Sequence, residues 1–190
     1  KFKMKIKELK KNIKINELIL INFISLSKKD KYKPKDWRNN EDIKKWMCND
    51  HVITKKEHDV FINNLNMDNK NFYWIVKNIK EEKLGVIYLN NVDFNNKNAY
   101  LGLYKNPELN SKEIGIGTQL LKIIVILVFK LLKFHTLRLE VLKDNKRAIN
   151  LYEKFGFTKE GILKEEIFKD KIFENMVITD IKAKEILNEL

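Results

Sequence analysis

Lys112-Glu113-Ile114-Gly115-Ile116-Gly117-Thr118 is the stretch whose residue types and spacing point most directly to chemistry. It follows a strand-like segment and opens a long apolar helix. Glycines there let the backbone approach a ligand closely, and the unsatisfied amides of a helix N-terminus point outward, which suits a pyrophosphate. Alternatively, Gly115 and Gly117 only shape a loop. Short Gly-x-Gly patterns are weakly specific, and this one lacks the third glycine of a dinucleotide fingerprint. A second stretch runs from Asn145 to Phe157. Asn145 is a natural N-cap, Ala148 allows close packing, and Tyr152 lies about two helical turns further on. Read alone, this is an ordinary capped helix with an aromatic on its face, ended by Gly156.

The whole chain limits what such sites can serve. Its 190 residues, 44% of them hydrophobic, suffice for one domain with a core of its own. We therefore expect residues 1–190 to form one domain, with 1–14 as a possible N-terminal extension. The formal net charge of +12 attracts anions such as nucleic acid, acidic lipid or a polyphosphorylated small molecule, and opposes a polyamine substrate. Cys48 is the one cysteine, which excludes a disulfide within the chain and a Cys-rich zinc site. The three histidines are scattered, so no metal site is expected. Lys1 to Lys14 has no apolar core or cleavage site of a signal peptide, and Met4 is read as the natural start. A cytoplasmic location is the expectation. Ile123 to Phe129, the longest apolar run, falls far short of the about 20 residues that span a bilayer. It predicts a buried helix and no membrane association.

Hydrophobic periodicity and turn residues then place the elements. Glu17–Ile24 predicts a first strand and Asp36–Met47 a short helix. Thr54 with Glu57 forms a capping-box signature opening a helix whose apolar face is Val60, Phe61 and Leu65. Three strands follow, at Asn71–Asn78, Leu84–Phe94 and Ala99–Tyr104. A long helix covers Gly117–Lys133, a strand Thr136–Leu142, a helix Asn145–Phe155, and two final strands Phe157–Phe168 and Phe173–Ile181. The fold class is α/β (α+β), a mixed central sheet of about seven strands flanked by about four helices, with parallel pairing around the long helix.

Taken together, Lys112-x-x-Gly115-x-Gly117 and Asn145-x-x-Ala148-x-x-Leu151-Tyr152-x-Lys154-x-Gly156-Phe157, in this order, resemble the two signature motifs of the GNAT superfamily of N-acetyltransferases. Lys112 stands where Arg or Gln is more usual, which keeps the charge and loses the fork. The resemblance implies the GNAT fold and acetyl-CoA as cosubstrate, lying in a splay between Ala99–Tyr104 and Thr136–Leu142. It implies that Lys112, Glu113, Ile114, Gly115, Ile116, Gly117 and Thr118 hold the pyrophosphate, with Leu103 and Tyr104 pairing with the pantetheine. Asn145, Ala148, Tyr152 and Lys154 complete the cofactor side, Asn145 fixing either the cofactor arm or the helix start. The acceptor amine attacks the thioester directly in a ternary complex, with an amide near Leu103 as oxyanion donor and Tyr152 protonating the departing thiolate. Glu140 acting through water, Tyr88 and His58 are the candidates for the base.

Trp37-Arg38-Asn39, Trp46-Met47 and His58 with Phe61 further resemble the amino-sugar nucleotide N-acetyltransferases of the pseudaminic acid pathway. So do Tyr100 to Pro107 and Leu139-Glu140-Val141. This implies a UDP-linked 4-amino-4,6-dideoxy sugar as acceptor, with Arg38, Met47 and His58 at the nucleotide end and Tyr104 near the sugar. Trp37 and Trp46 are expected in the core, Cys48 as a small buried hydrophobe where an aromatic is often seen, and His51 and His135 as structural or solvent-facing. The rival acceptor is a ribosomal-protein or other peptide N-terminus. From another class, a basic nucleic-acid-binding module needs lysines and arginines clustered with stacking aromatics, and no such cluster stands out. The terminal strands could support a homodimer.

Overall fold

Phe72-Tyr73-Trp74-Ile75-Val76-Lys77 consists of aromatic and β-branched residues that fit a pleated, half-buried surface, and it forms a central strand. The structure, a computed structural model, describes residues 6–109 and 115–183. In chain order the elements are α1 (Ile6–Leu9), β1 (Ile13–Ile15), β2 (Leu18–Asn22), α2 (Lys33–Asn39), α3 (Glu41–Lys44), α4 (Lys55–Leu65), β3 (Phe72–Lys77), β4 (Lys83–Asp93) and β5 (Asn98–Lys105). They continue as α5 (Ile116–Val125), β6 (Thr136–Leu142), α6 (Lys146–Lys154), β7 (Thr158–Lys169) and β8 (Ile172–Lys182). A 3₁₀ turn, Phe23–Ser25, follows β2, and a π-helical segment, Ile126–Leu131, prolongs α5.

One sheet runs in the order β1-β2-β3-β4-β5-β6-β8-β7. Among the described strands β5 and β6 pair in parallel and the other neighbours are antiparallel. The helix between β5 and β6 is what a parallel crossover demands. The described residues contain eight strands and six α-helices. The additional strand is β1, which pairs Ile13 with Leu20 and Ile15 with Leu18. Residues read as a possible extension therefore join the sheet, and Leu9 of α1 is buried in the core.

The expected helix Asp36–Met47 is instead two. Asn40 takes an extended conformation that ends α2, and its side chain accepts from the amide of Asp42 to cap α3. One asparagine thus serves as C-cap and N-cap. The capping box on α4 forms as expected, with Thr54 and Glu57 bonded reciprocally. The inward face of α4 differs, however: His58, Ile62 and Leu65 are buried while Val60 is 52% exposed. His58 can turn inward because its ring nitrogen Nε2 bonds the Lys31 carbonyl at 2.7 Å, which satisfies the polar atom.

Strand alternation separates two apolar layers. Phe72, Trp74 and Val76 of β3 join α5 and α6 in the larger cluster. Ile75 with Val86 of β4 joins Trp37 of α2, Leu65 of α4 and Phe23 in the smaller one. Trp37 is core, as expected, but Trp46 is 40% exposed and Cys48 is also exposed, against expectation. Both sit just beyond the four-residue α3, where the chain follows no regular period that would turn them inward. His51 and His135 are solvent-facing.

Candidate active site

Two features of the sheet and its helices bring the chemistry together: a gap between β5 and β6, and a cleft under α2 and α4. β5 pairs with β6 at Asn98, Ala99 and Tyr100, whereas its pairing with β4 continues to Lys105. β6 itself stays paired with β8 along its whole length. The strands thus diverge beyond Tyr100. The Lys97 carbonyl accepts from the amides of His135 and Thr136, at 2.7 and 3.2 Å. Backbone groups two residues apart face the same edge, so Leu101 and Leu103 turn their amides and carbonyls into the gap, whereas the backbone of Tyr104 faces Val86 of β4, which corrects its expected pairing with the pantetheine.

α5 starts at the same end of the sheet. Gly115 is its N-cap at φ 88°, a left-handed conformation that favours glycine. The Gly115 carbonyl accepts from Gln119 at 2.9 Å, so the amides of Ile116, Gly117 and Thr118 precede the first intrahelical bond. Lys112, Glu113 and Ile114 lie outside the described residues. A Cβ on Gly117 would stand 3.3 Å from Leu151 Cδ2, so this glycine also lets α5 approach α6. On α6, Asn145 accepts from the Ala148 amide at 3.2 Å; of its two expected roles, the geometry displays the helix start. Ala148 is half-buried against the larger core, and Lys154 is exposed on the last turn. Tyr152 is 8% exposed, packed against Phe157, and burial pushes its phenol up to about 12.

Two cations near this gap escaped the sequence reading. Lys105 ends β5, two residues after Leu103, and Arg147 lies in the first turn of α6. Burial, and then the Arg147 charge, push the Lys105 ammonium down. Like charges held together are a costly arrangement that an anion relieves. Strand parity counted from Leu103 was the signal that could have found Lys105.

On the opposite face of the sheet, a cleft of about 380 Å³ gathers Arg38, Met47, His58, Tyr104 and Tyr88. All four residues expected on the acceptor side therefore share one cavity. A groove of about 440 Å³ lies elsewhere, between the β1–β2 turn, the β3–β4 turn and α5, and contains none of the candidate residues.

The cleft floor is aromatic. Tyr73 and Tyr88 stack with centroids 5.0 Å apart, and Phe61 meets Tyr73 edge-on, also at 5.0 Å. Tyr73 donates its hydroxyl hydrogen to Asn90 Oδ1 at 2.9 Å, which leaves the Asn90 amide NH₂ as a donor for the cleft. Tyr104 donates to the Pro34 carbonyl at 3.1 Å. The Tyr88 ring lies across β5 at its partner Gly102, where a Cβ would come within 1.9 Å of Tyr88 Cζ. Gly102→Ala should therefore expel the Tyr88 ring. Overpacking of this kind costs about 1–3 kcal/mol, and we expect the acceptor KM to rise with little change in that of acetyl-CoA. Unaltered acceptor kinetics would show that the Tyr88 ring has no part in the cleft.

Charge is distributed to match an anion. Arg38 donates through Nη2 to Asn49 Oδ1 at 3.1 Å, and its Nη1 is buried with no partner in the described structure. Asn49 is a further residue missed from sequence, since nothing local ties it to Arg38. Burial lowers the Arg38 guanidinium, yet an arginine stays charged. The one carboxylate among the lining residues is Glu57. It is already occupied by Thr54 and by His51, whose Nε2 lies 2.9 Å away, and those bonds pull it down to about 2. His58 must carry its proton on Nε2, because its partner is a carbonyl; burial lowers its pKa, so Nδ1 offers a lone pair at neutral pH.

The candidates for the base separate on the same physics. Burial drives the Tyr88 phenol far above its ordinary value, so Tyr88 holds its proton and is a poor base; we correct that expectation. Glu140 on β6 is exposed and outside the cleft lining. Partial burial of its carboxyl beside the neighbouring strand, and then the Glu166 charge, raise it all the same, the direction a base needs.

Comparison with known proteins places this architecture. The acetyltransferase (GNAT) domain family matches residues 24–178. The chain belongs to the GNAT acetyltransferases. Two relatives named acetyltransferase PseH, from Campylobacter jejuni subsp. jejuni serotypes O:2 and O:23/36, are 36% and 34% identical over 139 residues, covering 73% of this chain and 83% of each relative. Among solved structures, a spermidine N-acetyltransferase from Vibrio cholerae in complex with CoA and spermine superposes with a TM-score of 0.81 at 23% identity, covering 92% of this chain and 100% of that one. At that identity the likeness shows the GNAT fold. The protein is an acetyl-CoA-dependent N-acetyltransferase, as the paired motifs implied. No described helix is long and apolar enough to cross a membrane.

Proposed function

We propose that the acceptor is a UDP-linked 4-amino-4,6-dideoxy sugar, acetylated on its 4-amino group. The observation that carries this reading is Arg38, a guanidinium facing the cleft with Nη1 buried and unpartnered. Planar, charge-assisted donors of this kind suit a diphosphate. Lys35 adds a second cation to the lining, and the sole lining carboxylate is engaged by its own helix cap. A polyamine acceptor needs the opposite distribution, several free carboxylates. Met47 and the aromatic floor offer soft and flat surfaces to a base and a deoxygenated sugar, and the relatives named PseH agree with the resemblance carried by Trp37 to Phe61.

On the cofactor side the chain fits acetyl-CoA. The free amides of Ile116, Gly117 and Thr118, with Lys105 and Arg147, would hold phosphate oxygens, and the edge at Leu101 and Leu103 would pair with the pantetheine. Acetyl-CoA supplies the thioester whose acetyl group is transferred. The Leu103 amide is aimed into the gap as a fixed donor for developing negative charge. Tyr152, which keeps its proton at neutral pH, would deliver it to sulfur, while Glu140, through water, would remove the proton of the amine. For partners, a second copy pairing at Phe168, Ile172 and Phe173, which are exposed on the final hairpin, accounts best for that apolar surface.

The decisive experiment measures CoA release from acetyl-CoA with the UDP-linked amino sugar, with spermidine, and with peptide N-termini. Release with the sugar nucleotide alone is expected. Release with spermidine or peptides instead overturns the acceptor and leaves the GNAT assignment intact.

A further inference from the structure

The acceptor cleft is walled on one side by the segment 45–53, which follows α3 and carries Met47, Asn49 and His51. Its far end is held firmly: Asn39 donates to the Ile53 carbonyl at 2.8 Å and accepts from the Ile53 amide at 2.9 Å. Its middle is held by Arg38 through Asn49. Its beginning is held from across the molecule. Lys169 donates to the carbonyls of Lys45 at 2.6 Å and Lys44 at 3.2 Å, although these residues are more than a hundred positions away in the chain. The Lys169 side chain belongs to a residue only 3% exposed.

A buried ammonium is costly to desolvate, and here it caps the end of α3, where the Lys44 carbonyl also accepts from the Met47 amide at 3.0 Å. Local structure aims it. Asp170 and Lys171 both adopt positive φ, 49° and 64°, in the two-residue turn between Lys169 and its partner Ile172, a tight hairpin geometry. Phe168 and Phe173 brace the same turn with ring centroids 4.9 Å apart.

We propose that Lys169 is a positioning residue for the acceptor: the β7–β8 hairpin latches the start of the 45–53 segment so that Met47 and Asn49, and through Asn49 the Arg38 guanidinium, stand ready in the cleft. This rests on the acceptor reading of the cleft given above.

The protein carries its own probe. Of its three tryptophans, Trp37 and Trp74 are 1% and 0% exposed while Trp46, within the latched segment, is 40% exposed. Acrylamide quenching therefore reports chiefly on Trp46. In Lys169→Met we expect stronger quenching, an acceptor KM raised about tenfold and an acetyl-CoA KM within about twofold of the original. Lys169→Arg, which keeps a cationic donor, should restore both. Unchanged quenching in Lys169→Met overturns the latch; so does an acceptor KM that stays put, or that moves only in step with acetyl-CoA. If the unmodified enzyme does not turn over the sugar nucleotide, the acceptor reading has failed, and quenching alone then judges the latch. Should Lys169→Met not fold, Lys169→Gln is measured against the same outcomes.

Discussion

Tyr152→Phe is expected to lower kcat by about 100- to 10,000-fold, the range over which a general acid contributes, while acetyl-CoA affinity stays within about twofold. The substitution is clean because Tyr152 is buried and packs through its ring on Phe157, and phenylalanine keeps that packing. Only the hydroxyl is lost. Burial holds the phenol at about 12. The raised value means that the protonated acid is present at all lower pH and is lost only as pH rises through about 12. Any fall in kcat between pH 8 and 10 should therefore come from another group. Single-turnover rates and acetyl-CoA titration separate the steps; an unchanged kcat removes Tyr152 from the acid role.

Arg38→Met should raise the acceptor KM by roughly 10- to 150-fold. Hydrogen bonds to charged groups are worth about 1.5–3 kcal/mol, and each 1.4 kcal/mol is about tenfold. The half-buried setting of Arg38 and its unpartnered Nη1 favour the upper part of that range, because solvent screens the pair poorly there. Acetyl-CoA KM should not follow, since the gap between β5 and β6 and the Arg38 cleft are distinct places in the fold. Arg38→Lys should recover only part of the loss, as an ammonium keeps the charge without the fork. Steady-state kinetics at two salt concentrations checks this: the salt dependence of acceptor KM should shrink in Arg38→Met. An unaffected acceptor KM would remove the diphosphate from the cleft, and with it the strongest argument for a sugar nucleotide.

Much of the scaffold was legible beforehand because local signals and tertiary demands agree. The strands from Phe72 to Lys105 carry residues that alternate between two apolar layers, and Thr54 with Glu57 marks the start of α4 by a purely local device. Asn145 likewise announces the start of α6 through cap chemistry. Where the sequence misled, a single polar contact outweighed a pattern. Asn40 splits one periodic segment into α2 and α3. His58, bonded to Lys31, turns α4 so that Val60 faces water.

By itself, the sequence determined the family, the cofactor and the type of reaction, because Gly115, Gly117, Asn145 and Tyr152 belong to motifs contained within one loop or one helix, and local spacing records such motifs. The sequence named Arg38, Met47, His58 and Tyr104, but the cleft they line and the contacts that support both sites were decided by the tertiary structure. Arg38 with Asn49, Tyr88 lying over Gly102, Lys105 beside Arg147, and Lys169 reaching Lys45 join residues from separate elements. Such pairs leave no period along the chain. They exist only once the sheet has set its register and the helices have packed on its two faces.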